Sequence, residues 1–201
     1  MNRINKPSSA LALLIAGALS LAGCGASAPA EEPPLAGAAI GGDFALTASD
    51  GRTVKWGDFA GKYRVVYFGY AFCPDVCPTD MQRVAQGLKV LKGKDPAKAA
   101  KIQPIFITID PERDTQKVVG EFATAFSPDI IGLTGTPEQI AATAKAFKVY
   151  YAKGETTPGG GYLVDHSNIT YLFSPDGAPI ATLPTDQGAD AVAAELVKWV
   201  N

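Results

Sequence analysis

The sequence predicts an α/β domain: a central mixed sheet flanked by helices, with a β-hairpin at its amino end. Two runs rich in β-branched, aromatic and other apolar residues carry the prediction. Residues 63–70, reading YRVVYFGY, and residues 105–109 lack the alternation of a half-exposed strand, as expected of strands covered on both faces. Each is followed by a segment of helical periodicity, so strand and helix alternate, and the chain closes with a further strand pair and an amphipathic helix.

The elements follow in order. Residues 44–47 and 53–56 flank Ser49-Asp50-Gly51, whose Asp-Gly dipeptide supplies a hairpin turn. The strand over 63–70 runs into GYAFCPDVCPTD, and residues 78–91 then place Met81, Ala85, Leu88 and Leu91 at helical spacing. Pro78 suits the first helical position, which makes Cys77 the expected cap; Thr79 with Gln82 offers a second start two residues later. The lysine-rich piece 92–101 reads as a solvated end. After the strand over 105–109 come Asp110-Pro111 and a helix capped by Asp114 or Thr115, running through Val118, Val119, Phe122 and Phe126. Residues 130–133 read as a short strand or extended link. Thr136-Pro137-Glu138-Gln139 combines capping-box spacing with proline at the first position of a helix that reaches Phe147. An extended piece at 149–152, a glycine-rich loop at 154–161, strands at 169–173 and 180–183 around Ser174-Pro175-Asp176-Gly177, and a helix over 189–200 complete the chain.

A strand, a cysteine-bearing loop and a helix, then a crossover to a second buried strand and a terminal hairpin and helix, is the pattern of a thioredoxin-like fold. Right-handed crossovers make the first two buried strands parallel neighbours. The loop that carries His166 into the terminal hairpin then lies beside the cysteine loop.

Three segments are expected. Residues 1–23 form a leader, with Arg3 and Lys6 ahead of an apolar stretch too short to span a bilayer comfortably. Its ending, Leu21-Ala22-Gly23-Cys24, resembles the bacterial lipobox, in which the cysteine is lipidated and becomes the new N-terminus. Residues 24–41, rich in Ala, Pro and Gly with only Glu31 and Glu32 charged, read as a flexible tether, and residues 42–201 as the domain. The domain is therefore expected in the bacterial cell envelope, held to a membrane through Cys24 and facing the periplasm or the outside. The chain has 18 basic and 20 acidic residues, a net charge of −2, and loses two basic residues with the leader, which argues against nucleic acid as a partner.

The chain holds 3 cysteines, 1 histidine and 2 methionines. With Cys24 assigned to lipid, thiol or metal chemistry in the domain falls on Cys73, Cys77 and His166. The cysteine pair can be a structural disulfide, a redox couple or a ligand pair. A disulfide across so short a loop contributes little entropic stabilisation. Redox pairs of the thioredoxin type usually leave two residues between the cysteines, whereas Pro74, Asp75 and Val76 make it three here. The wider gap lets both sulfurs turn toward one point. Two thiolates and an imidazole suit Cu(I), Cu(II) with an added oxygen, or zinc with water. A cap position for Cys77 is expected to lower its thiol pKa, and Asp165 or another carboxylate to orient the imidazole. Asp110-Pro111-Glu112-Arg113-Asp114 reads either as a turn and cap or as a charged rim for a partner, with Asp110 or Asp114 near a metal.

GYAFCPDVCPTD, TIDPERDT (108–115) and YLVDHSN (162–168), in that order, resemble the Sco/SenC family of thioredoxin-like copper-binding proteins of cytochrome c oxidase assembly. The resemblance implies copper, as Cu(I) or Cu(II), held by Cys73, Cys77 and His166. It also implies a role in maturing the CuA centre of oxidase subunit II, as copper donor, as reductant of that subunit's cysteines, or both. Periplasmic copper chaperones and thioredoxin-like reductants are further implied partners. Many members carry a transmembrane helix where this chain carries the lipobox-like ending. The competing reading, a thiol-disulfide oxidoreductase with Cys73 and Cys77 as its catalytic pair, needs only the cysteines. A thiol peroxidase needs an environment that activates peroxide, and PDVCPTD supplies no arginine.

Overall fold

The computed structural model describes residues 31–156 and 161–201. The leader, Cys24, the start of the expected tether and part of the glycine-rich loop lie outside the described residues. In chain order the strands are β1 (Ala45–Ala48), β2 (Thr53–Lys55), β3 (Tyr63–Gly69), β4 (Ile102–Thr108), β5 (Ile131–Thr134), β6 (Tyr151–Lys153), β7 (Val164–His166), β8 (Thr170–Phe173) and β9 (Pro179–Leu183). The helices are α1 (Val76–Lys94), α2 (Pro96–Ala99), α3 (Gln116–Phe126), α4 (Pro137–Ala146) and α5 (Ala189–Trp199). Among the described residues, no helix is long and apolar enough to cross a membrane.

Seven strands form one mixed sheet in the order β2-β1-β5-β4-β3-β8-β9. The two apolar runs are its middle: β3 and β4 pair in parallel from Tyr63 opposite Ile102 to Gly69 opposite Thr108, and every residue of β3 is buried. β5 continues the parallel part, while β1 and β8 join antiparallel on either side. Val65 and Val66 are adjacent in β3 and so point to opposite faces. They belong to two different apolar clusters. Val65 packs with Val84 and Leu91 of α1 and with Val192 and Leu196 of α5. Val66 shares a cluster with Trp56, Phe147 and Phe173, three rings that meet edge to face with centroids 5.1 to 5.4 Å apart. The Arg64 guanidinium lies 4.3 Å above Trp56 and donates to the Ser174 carbonyl at 3.0 Å. Gly177, at φ +94°, leaves room for both, since a Cβ there would meet Trp56 Nε1 at 3.0 Å and an Arg64 terminal nitrogen at 3.1 Å. This arrangement is a thioredoxin-like fold with an N-terminal hairpin, as the strand and helix pattern predicts.

Local departures have identifiable causes. The box at Thr136 and Gln139 forms as expected, and Thr115 rather than Asp114 caps α3. α1 begins at Val76, ahead of Pro78, because a proline in a first turn lacks only an N–H that has no intrahelical acceptor anyway. Thr79 does not cap; its hydroxyl donates to the Asp75 carbonyl at 2.9 Å. The short α2 replaces part of the expected solvated end, with the Asp95 side chain accepting from the Lys98 N–H. The last part of the expected tether is fastened to the domain. The Leu35 N–H donates to the Ile180 carbonyl and the Gly41 N–H to the Ala146 carbonyl, each at 3.0 Å, and Leu35 and Ile40 pack against the core.

Candidate metal centre

The parallel pairing of β3 and β4 brings the cysteine loop and the turn after β4 to the same edge of the sheet, where α/β folds place their sites. Asp114, fully buried, ties the two together. Its Oδ2 accepts from the Ala71 N–H at 2.9 Å and from the Thr108 hydroxyl at 2.7 Å. The loop reaches Cys73, whose N–H donates to the Tyr70 carbonyl at 3.2 Å, and then enters α1.

Cys77 is the second residue of α1, not its cap, and the Asp75 side chain makes no capping bond. The first-turn N–H of Cys77 would otherwise lack a partner. It donates to Cys73 Sγ at 3.4 Å, so the sulfur of one cysteine closes the helix that carries the other. Both are buried free thiols. Gly69 makes the space: a Cβ there would lie 2.9 Å from Cys77 Sγ, 2.9 Å from Tyr67 Cε1 and 3.2 Å from Phe106 Cε2.

His166 is the last residue of β7, in a two-stranded ribbon with β6 that is separate from the main sheet, rather than on an open loop. Its Nε2 lies 3.2 Å from Cys77 Sγ and its Nδ1 lies 3.1 Å from the Ser167 carbonyl. A carbonyl only accepts, so Nδ1 carries the proton and Nε2 presents its lone pair to the sulfur. The orienting partner is therefore a backbone oxygen. Asp165, expected in that role, is exposed.

The surroundings set the protonation states. Burial pushes the Cys77 thiol well up, with Cys73 Sγ adding to the effect, which reverses the lowering expected from a helix terminus. Burial also holds His166 below the ordinary histidine range, favouring the neutral ring. Tyr67 and Tyr70 approach the imidazole edge to face, with centroids 6.3 and 6.0 Å away. The Tyr67 hydroxyl donates to the buried Asp80 at 3.2 Å, and the Tyr70 hydroxyl accepts from the Val164 N–H at 3.2 Å. No motif in the sequence singles out Gly69, Tyr67, Tyr70 or Asp80 as site residues. The tyrosines carried a signal, being polar-tipped residues in an otherwise apolar strand.

Cys73 Sγ, Cys77 Sγ and a His166 ring nitrogen all lie within 4.8 Å of one another, a group that can hold a metal ion. Neither Asp110 nor Asp114 joins it. Asp110 pairs with Arg113, and Asp114 is taken up by Ala71 and Thr108.

A family model described as SCO1/SenC matches residues 32–201. The chain belongs to the SCO1/SenC family. It is 39% identical over 172 residues to the mitochondrial SCO1 homolog 1 of Arabidopsis thaliana, a match covering 85% of this chain and 50% of that protein. It is 47% identical over 143 residues to protein SenC of the bacterium Rhodobacter capsulatus, covering 70% of this chain and 61% of SenC. The chain spans about half the length of curated relatives it matches. Among solved structures, copper-bound ScoI of Bradyrhizobium japonicum is similar with a TM-score of 0.72 and 37% identity, covering 80% of this chain and 99% of that one.

Proposed function

We propose that this family member is a membrane-tethered copper metallochaperone that binds copper through Cys73, Cys77 and His166 and assists assembly of the CuA centre of cytochrome c oxidase. The observation that carries the reading is the convergence of two sulfurs and one unprotonated imidazole nitrogen within 4.8 Å. Metal–sulfur bonds of about 2.3 Å and metal–nitrogen bonds of about 2.0 Å let one ion touch all three once the widest pair closes by up to about an ångström. The donors are soft, and the set carries one negative charge with Cu(I) and none with Cu(II). Copper bound in the Bradyrhizobium ScoI relative supports the same cargo here.

Delivery needs an approachable rim. Phe72, Tyr150 and Leu163 are three of the four large exposed apolar side chains among the described residues. Phe72 precedes Cys73, Leu163 lies three residues before His166, and Tyr150 adjoins the partner of His166 in the ribbon. An acceptor such as oxidase subunit II covers this rim as it takes the ion, and periplasmic copper chaperones or thioredoxin-like reductants supply metal or electrons. Lipid on Cys24 holds the domain at a bacterial membrane, facing the periplasm or the outside. Thiol-disulfide exchange uses the same two sulfurs, but burial leaves little thiolate at Cys77 near neutral pH in the metal-free protein.

A strain lacking the chain, grown at low copper, tests the role. Oxidase activity is expected to fall and to return with the wild-type chain but not with His166→Ala. Normal oxidase activity in the deletion strain at low copper contradicts the proposal.

A further inference from the structure

His166 reaches the cysteines from a ribbon with no ladder to the main sheet, so something other than sheet pairing must hold it there. Part of that hold is the buried Val164, whose N–H donates to the Tyr70 hydroxyl; a further part converges on one side chain. Arg113, in the turn between β4 and α3, donates to the Tyr162 carbonyl at 2.9 Å, at the entry to β7. Its Nε pairs with Asp110 Oδ2 at 2.5 Å, and Asp110 Oδ1 accepts from the Tyr162 hydroxyl at 2.7 Å. The guanidinium carbon lies 3.6 Å from the Tyr162 ring centroid, 5.2 Å from that of Phe72 and 5.6 Å from that of Tyr70, which puts the strand end of the cysteine loop and the ribbon around one cation. The Asp110 side chain is only 5% exposed and that of Arg113 23%, so the pair is screened less than an open surface bridge. The exposed Lys153–Glu112 pair at 2.7 Å adds a weaker tie from β6 to the same turn.

We propose that Arg113 is the positioning residue of the metal centre: it clamps the histidine ribbon to the turn after β4 and to the cysteine loop, so the third ligand stands over the sulfurs before metal arrives. The clamp touches neither sulfur nor imidazole and acts through Asp110, Tyr162, Phe72 and Tyr70. Its consequence for copper rests on the metallochaperone reading, whereas its consequence for the ribbon does not. Groups that hydrogen-bond directly to metal ligands typically change metal affinity by about 10- to 100-fold, which bounds the effect of a residue that acts one contact further out.

The test uses the full chain, reduced and metal-free, and exploits His166 as the single histidine. Its imidazole protons give one assignable set of signals, displaced by the flanking Tyr67 and Tyr70 rings. In Arg113→Gln those signals are expected to move toward the values of an unstructured histidine. Amide exchange at Val164, Asp165 and His166 is expected to rise about tenfold or more, and bound copper to leave faster, by up to about 100-fold. Arg113→Lys keeps the charge but loses the fork, and is expected to fall between. Tyr162→Phe removes the hydroxyl that donates to Asp110 and, more distantly, to Glu112, and gives a smaller change of the same sign; it decides the matter should Arg113→Gln fail to fold. Unchanged imidazole signals and ribbon exchange in a folded variant overturn the clamp. A wild-type chain that binds no copper overturns the metallochaperone reading instead, and the imidazole and exchange measurements still decide the clamp.

Discussion

Gly69→Ala isolates the space that Cys77 needs. The substitution adds one methyl group, and Gly69 has no left-handed backbone that an alanine would strain. That methyl would stand 2.9 Å from Cys77 Sγ, 2.9 Å from Tyr67 Cε1 and 3.2 Å from Phe106 Cε2, where ordinary contact begins near 3.4 Å. Both ring atoms belong to side chains buried to about 1% exposure or less, and the two rings stack 19° from parallel, so neither can swing out freely. The sulfur is the movable member, and a displacement of about 0.5 Å is enough to spoil a ligand set. Overpacking of this kind costs about 1–3 kcal/mol, which lowers the melting temperature by roughly 2–12 °C for a domain of this size. Copper affinity is expected to fall at least tenfold as Cys77 Sγ shifts. Calorimetry on the metal-free chain and a competition titration with a copper chelator read the two effects separately. A variant that melts and binds copper as the wild type does would refute the steric argument.

The remaining predictions concern the acids behind the site. Asp114→Ala leaves the Ala71 N–H and the Thr108 hydroxyl without their acceptor, and is expected to cost about 2–4 kcal/mol by denaturant unfolding. Asp114→Asn, which keeps an oxygen for both, should lose less than half of that; equal losses would contradict the role given to these two bonds. Burial raises the Asp80 carboxyl in the folded protein above its unfolded value. The folded state therefore holds its proton longer, so this residue's stabilising effect is complete below the unfolded pKa of about 3.9 and is lost as pH rises through the raised folded value. Asp80→Asn, which still accepts from Tyr67, should match the wild type near pH 3.5 and gain on it toward pH 7 in denaturant midpoints. A constant difference across that range would remove Asp80 from the titration.

Much of this architecture could be read from the chain because burial leaves a compositional trace. β3 and β4 are covered on both faces and so have almost no polar residue to break their runs. The capping box at Thr136 is equally legible, since both of its bonds are local. The start of α1 was not. The Asp75 side chain sits before the helix without a capping bond, and the sulfur of Cys73 takes that role from four residues upstream of Cys77. The misplaced start also carried the wrong sign for the Cys77 thiol, because a position in the helix dipole says nothing about depth, and depth dominates here. The Ser167 carbonyl that orients His166 is a backbone group, identical at every residue, so sequence offered only Asp165. Leu35 and Ile40 were lost among alanines and prolines, although each is a single large apolar residue that the core takes up. Arg113 read as one charge in a charged turn; its contacts with Tyr70, Phe72 and Tyr162 exist only once three separate segments meet.

The most direct test of the central claim is a titration of the reduced full chain with Cu(II), followed by sulfur-to-copper charge-transfer absorption, in the wild type and in His166→Ala. The expected result is one equivalent bound by the wild type with an intense charge-transfer band, and a band that is lost or weakened, with reduced affinity, when Nε2 of His166 is removed. Identical spectra and affinity in the two proteins would contradict a three-ligand copper site and leave Cys73 and Cys77 as a dithiol acting without the histidine.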